Sequence, residues 1–152
     1  DQLDRKPESL LIIGAGPSGC ELGQMFSRLG VAVTILNKSK RLLAKEDPEV
    51  SEFVRQQLAA EGIKVITEIE IDGAEEKEGR IHLHAPGKNI TGDALLVAAG
   101  RQPNVEDLNL QAAGVQFTKK GITIDEHLET TSAGSNAGGD MVGALHSPHG
   151  AD

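Results

Sequence analysis

Three glycines, Gly14, Gly16 and Gly19, stand in the stretch "IIGAGPSGCELGQMF" (12–26), after an apolar run and before a helix-like pattern. Glycine is a poor helix former, so its use here asks for another reason. A diphosphate supplies one. Its oxygens need backbone N–H donors and the positive end of a helix dipole. In that reading Gly14 permits the tight turn, Gly16 removes a side chain so that phosphates can reach the main chain, and Gly19 lets the helix pack closely on the strand. The spacing alone is a weak sign. It gains force because strand-like sequence leads in, helix-like sequence leads out, and a second strand ends where the fingerprint requires it.

The residue closing that second strand would meet the adenosine ribose, and an acid there would hold a 2′-hydroxyl. This chain has Asn37 instead, followed by Lys38, Ser39, Lys40 and Arg41. A 2′-phosphate is repelled by an acid and held by such cations. The expected cofactor is NADPH. NADH stays open, because Asn37 can still hydrogen-bond a hydroxyl.

The elements that must position these residues follow from periodicity. "SLLII" (9–13) is a short apolar run of buried-strand type. A helix is expected from Pro17 to Leu29, with Leu22, Met25, Phe26 and Leu29 facing the sheet and Gly30 ending it. "VAVTIL" (31–36) is the second strand. Asp47 is expected to cap a second helix with Pro48 in its first turn. Val50, Phe53, Val54 and Leu58 would form its buried stripe. "IKVI" (63–66) is the third strand. This β-α-β-α-β order predicts a parallel sheet with right-handed crossovers. "EIEID" (68–72), an acidic turn "GAEEKEGR" (73–80), "IHLHA" (81–85) and "PGKN" (86–89) then suggest a β-meander. "ALLVAAG" (94–100) and "GITID" (121–125) are two further strands. The fold class expected is α/β: a Rossmann-like three-layer domain with a central parallel sheet and a β-meander crossover.

Composition narrows the function. The 152 residues suit one domain, or one domain plus a fragment of another. With three Phe and no Trp or Tyr, a stacking surface for single-stranded nucleic acid is not expected. A formal charge of −8 disfavours DNA as a partner. One cysteine, Cys20, leaves no disulfide framework and no Cys-rich metal site, and a reducing, cytoplasmic setting is expected. No apolar run approaches a membrane span. The first residue is not Met, which fits a processed product or a piece cut from something longer.

With the glycine loop, "RLLAKEDPEVSE" (41–52), "GRQPNVEDLNLQAAGV" (100–115) and "TTSAGSNAGGD" (130–140) read together, the chain resembles the flavin-dependent pyridine nucleotide–disulfide oxidoreductases. Within them it is most similar to the mercuric reductase and dihydrolipoamide dehydrogenase branch, from about Pro7 to Asp140. The resemblance implies that Gly14, Ala15, Gly16, Pro17, Ser18 and Gly19 wrap the NAD(P)H pyrophosphate. It places Glu21 near the nicotinamide end, Asn37 and Lys38 at the adenosine ribose, and the Ile71 backbone near the adenine. Gly100 would follow the domain's fourth strand, close to the cofactor. Asp140 matches the Asp that hydrogen-bonds the ribityl chain of FAD. Residues 1–126 would be the NAD(P)H-binding domain, with a leading linker at 1–8. Residues 127–152 would be a return segment of the FAD domain, poorly ordered in isolation.

The departures carry the functional expectation. The redox-active cysteine pair, the first FAD fingerprint and the interface domain with its catalytic His have no counterpart in this sequence. Ser135 and Asn136 stand where the family usually has apolar and aromatic residues. No catalytic residue and no metal site is therefore expected here, and the isolated chain should bind nucleotide without turnover. FAD and interface domains of a parent chain are the expected partners, and the parent is expected to be a homodimer.

Other candidates weigh less. Cys20, near a helix start, could carry a lowered thiol pKa, but a packing role is preferred. His82 and His84 share a strand face without an evident third ligand. His146 and His149 lie in the tail "HSPHG", and Asp125 and Glu126 suit a turn. Two other functions stay open: a stand-alone dinucleotide-binding or redox-sensing module, and a dehydrogenase with its own substrate domain. The lack of any Tyr argues against the second.

Overall fold

The computed structural model describes residues 5–142. The apolar runs form a four-stranded parallel sheet of β1 (Ser9–Ile13), β2 (Ala32–Leu36), β3 (Lys64–Ile66) and β7 (Ala94–Val97), in the order β3-β2-β1-β7. Helix α1 (Pro17–Arg28) joins β1 to β2, and α2 (Pro48–Ala60) joins β2 to β3. Successive strand residues point to opposite faces. Leu10 and Ile12 of β1 accordingly pack in one cluster with Val33, Ile35, Cys20 and Leu58. Leu11 packs in the other with Leu36, Ile69 and Leu83. Burying each such Leu or Ile contributes about 1.5–3 kcal/mol.

The second cluster is covered by an antiparallel meander of β4 (Gly73–Lys77), β5 (Arg80–Ala85) and β6 (Lys88–Gly92). Two bounds differ from expectation. The acidic stretch is itself strand β4, and residues 68–72 lie outside any strand. β4 is an edge strand whose last four residues are exposed, so its charges face water and discourage further pairing. The turn is two residues long, Glu78 and Gly79, both at positive φ (55° and 73°), as a tight hairpin requires.

The helix faces also differ. α1 buries Gly19, Cys20 and Gly23, with Phe26 partly buried, while Met25 and Leu29 are 45% and 58% exposed. The helix lies too close to the sheet for long side chains: a Cβ on Gly23 would stand 3.0 Å from the Ile35 side chain. α2 buries Ser51 and Leu58, with Val54 partly buried, and leaves Val50 and Phe53 exposed. Asp47 makes no side-chain cap. Ser51 ties the helix start instead, its Oγ donating to the Leu42 carbonyl at 2.7 Å.

The chain divides into two compact units at Gly100/Arg101. The second is built on the short hairpin β8 (Phe117–Thr118) and β9 (Gly121–Ile122), around Val105, Val115, Ile122, Ala137 and Val142. Ile122 pairs with Val142, and Ile124 with Thr130. Residues 127–142 are thus packed on residues 105–124, and position 126 falls inside this unit. His146 and His149 lie outside the described residues. No helix among the described residues is long and apolar enough to cross a membrane.

Candidate dinucleotide site

The glycine loop leaves β1 at the point where the sheet order reverses, since β1 lies between β2 and β7. Ligands of open α/β sheets bind outside the carboxyl ends of the strands at such a point. The Gly14 amide donates to the Leu36 carbonyl at 2.8 Å, and Gly14 holds φ +108°. A Cβ there would stand 2.4 Å from the Ala98 carbonyl oxygen. Gly19 is confined too, its missing Cβ falling 2.0 Å from the Gly14 carbonyl oxygen. Both glycines are required by the chain's own packing.

Gly16 is different. Its backbone is ordinary (φ −75°, ψ −177°), and a Cβ would meet no atom within 4 Å. Nothing in the protein itself needs glycine at this position. Gly16 is the N-cap residue of α1, no side chain caps that end, and Pro17 occupies the first helical position. The first-turn amides of a helix have no intrahelical partner. An open approach to an uncapped helix start fits an anion held by main-chain N–H groups. The residues present therefore fit a diphosphate.

The neighbours hold this loop in place. Ala15 is buried, and its carbonyl accepts the Leu43 amide at 2.8 Å. The Ala98 amide donates to Ile13 at 2.8 Å. Ser18 is half-buried and Glu21 is exposed on α1. Gly100 holds φ +149°, a conformation that favours glycine. Burial, and then the Glu21 charge, push the Cys20 thiol up to about 11, which disfavours the nucleophilic thiolate.

At the end of β2 the cations Lys38 and Arg41 are engaged within the chain, while Lys40 is exposed. The Asn37 Nδ2 donates to the carbonyls of Ser39 (3.2 Å) and Arg41 (2.9 Å). That use of both amide hydrogens leaves the Asn37 side-chain oxygen as its remaining polar atom, an acceptor. Lys38 pairs with Glu70 at 2.5 Å. The Arg41 guanidinium donates to the carbonyls of Ala44 and Glu46. Ile71 is partly buried on the meander-side core. Glu70 and the Ala98–Ala99 backbone are the neighbours that sequence reading missed. The alternation of Ile69 and Ile71 with Glu68 and Glu70 is the signal that turns the acids outward.

In the second unit, Asp140 is exposed and lies 3.5 Å from Arg101. Ser135 bonds the Thr130 hydroxyl, and Asn136 donates to the His127 carbonyl at 3.4 Å, so the two polar residues have partners in their own loop. The Asp125 carboxylate accepts the amides of His127 and Glu129, both at 2.9 Å, which makes it a turn residue. On the meander, Glu75 lies 3.3 Å from His84 and is paired across the ladder with His82.

A parallel β-α-β sheet that starts its first helix at such a glycine loop is a Rossmann-like dinucleotide fold. Comparison with known proteins refines this class. The pyridine nucleotide-disulphide oxidoreductase family matches residues 1–151, and the chain belongs to that family. It is 39% identical over 146 residues to the mercuric reductase of Staphylococcus aureus, covering 93% of this chain and 27% of that protein. It is 34% identical over 152 residues to the dihydrolipoyl dehydrogenase of Bacillus subtilis, covering 98% of this chain and 33% of that protein. Among solved structures, the HOCl-induced flavoprotein disulfide reductase RclA from Escherichia coli superimposes with a TM-score of 0.89 at 30% identity, over 95% of this chain and 33% of that one. The chain thus spans about a quarter to a third of the length of these relatives.

Proposed function

We propose that the first unit binds NAD(P)H and that the chain is the nicotinamide-nucleotide domain of a longer flavoprotein reductase. The observation that carries this reading is Gly16, a glycine with no internal reason to be one. Its bare backbone lets a diphosphate approach the amides at the start of α1. Gly14 and Gly19 hold the loop against Ala98 and β1, so the donors are fixed before the ligand arrives. Asn37 and Lys38 take the adenosine ribose, Ile71 lies towards the adenine, and Glu21 and Gly100 lie towards the nicotinamide.

The coenzyme supplies a hydride, and FAD held by other domains of the parent receives it before a dithiol or metal ion does. This chain's part is to bind and orient the donor. Residues 127–142, with Asp140, would belong with the FAD-binding portion and hydrogen-bond its ribityl chain. NADPH is the proposed coenzyme, because no acid closes β2.

Calorimetric titration of the chain with NADPH and NADH tests the reading. One site per chain is expected, with tighter binding of NADPH and no turnover. Absence of heat with both coenzymes would overturn it.

A further inference from the structure

We infer that Glu70 is a specificity-determining residue that holds the ribose end of the site back from a 2′-phosphate; this rests on the NAD(P)H reading above. The backbone brings it there. After β3 the chain turns at Glu68, which holds φ +54°. It then runs along the loop that follows β2. The Glu68 amide donates to the Ser39 carbonyl at 3.2 Å, and the Ile69 amide to the Asn37 carbonyl at 3.1 Å. Ile69 is buried among Leu11, Leu36 and Leu83. Its inward turn directs the next side chain outward, and Glu70 meets Lys38.

The consequence is electrostatic. Of the cations after β2, Lys38 is paired with Glu70, Arg41 donates through Nη2 alone to the carbonyls of Ala44 and Glu46, and Lys40 is exposed, so Lys38 is the cation that a carboxylate offsets. A 2′-phosphate arriving beside Asn37 would have to draw Lys38 away from a carboxylate and would meet that carboxylate's own charge. A 2′-hydroxyl needs only the Asn37 oxygen and meets neither cost. Glu70 thus narrows the preference for NADPH that the basic loop would otherwise set. Both partners are largely exposed (75% and 61%), so the effect is modest and is screened by salt.

The test compares Glu70→Gln with the wild-type chain by calorimetry with NADPH and NADH at low ionic strength. The variant should bind NADPH about threefold to tenfold more tightly, with NADH changed by less than about twofold. The gain should shrink in about 0.5 M salt, and it should be largely lost when Lys38→Gln is combined with it. Equal gains for both coenzymes, or an unchanged ratio with wild-type binding intact, would overturn this inference alone. Failure of the wild-type chain to bind either coenzyme would overturn the underlying reading and this one with it.

Discussion

A Cβ placed on Gly19 would stand 2.0 Å from the carbonyl oxygen of Gly14. The obstacle is backbone, so no rotamer change relieves it. α1 would have to lift from the end of β1, against the core that holds Cys20, Ile12 and Ile35. Gly19→Ala should therefore destabilise the chain by about 2–4 kcal/mol. Urea denaturation checks this, and a loss below about 0.5 kcal/mol would show that the loop relaxes freely.

Gly16 should separate ligand binding from stability. Its backbone conformation suits any residue, and its missing Cβ faces open space. Gly16→Val should keep the unfolding free energy within about 0.5 kcal/mol of wild type. It should weaken NADPH binding by at least about tenfold, because the side chain fills the path to the main chain. If coenzyme affinity survives, the diphosphate is held elsewhere.

The contrast between these glycines marks what the sequence made legible. Their spacing, with apolar runs on either side, reveals the parallel sheet, both helices and the loop, because strand burial and glycine geometry act locally. The faces of the helices were not legible in the same way. Met25, Leu29, Val50 and Phe53 occur at helical spacing, yet they are exposed. The sheet-facing side of α1 is Gly19, Cys20 and Gly23, because close approach selects small residues over apolar ones. The acidic run of β4 reads as a turn because an edge strand can carry charge on exposed positions. In the site, the commitments of Asn37, Lys38 and Arg41 depend on carbonyls and a carboxylate brought in by the fold. No local pattern announces those partners.

The link between β1 and β7 should be sensitive to acid. Asp93 accepts both the amide and the hydroxyl of Ser9 through Oδ2, each at 2.9 Å, and Arg80 lies 3.4 Å from its other oxygen. The Ser9 bonds hold the carboxyl below its ordinary range. Its unfolded state binds the proton first, so this stabilisation is present above the ordinary carboxylate pKa of about 3.9 and is lost as pH falls through the lower folded value. Wild-type stability should drop more steeply than that of Asp93→Asn below about pH 4. Thermal melts across that range check it, and parallel curves would remove Asp93 from the account.

Cys20 gives the opposite sign at the alkaline end. Burial, reinforced by the Glu21 charge, pushes its thiol up to about 11, against about 8.5 for a free thiol. Between those values the unfolded chain has lost the proton that the folded chain still holds. The stabilisation is fully present below the free-thiol pKa and is lost as pH rises through the folded value. It is on the order of 3 kcal/mol. Cys20→Ala removes it, so the stability difference between wild type and variant should shift against the wild type as pH rises from about 8.5 to about 11. Comparing the two chains cancels the titration of lysines common to both. The same buried thiol should react with iodoacetamide at pH 8 far more slowly than in urea. Rapid alkylation of the folded chain would show that the helix start activates the sulfur, contrary to its packing against the Ala15 carbonyl at 3.7 Å.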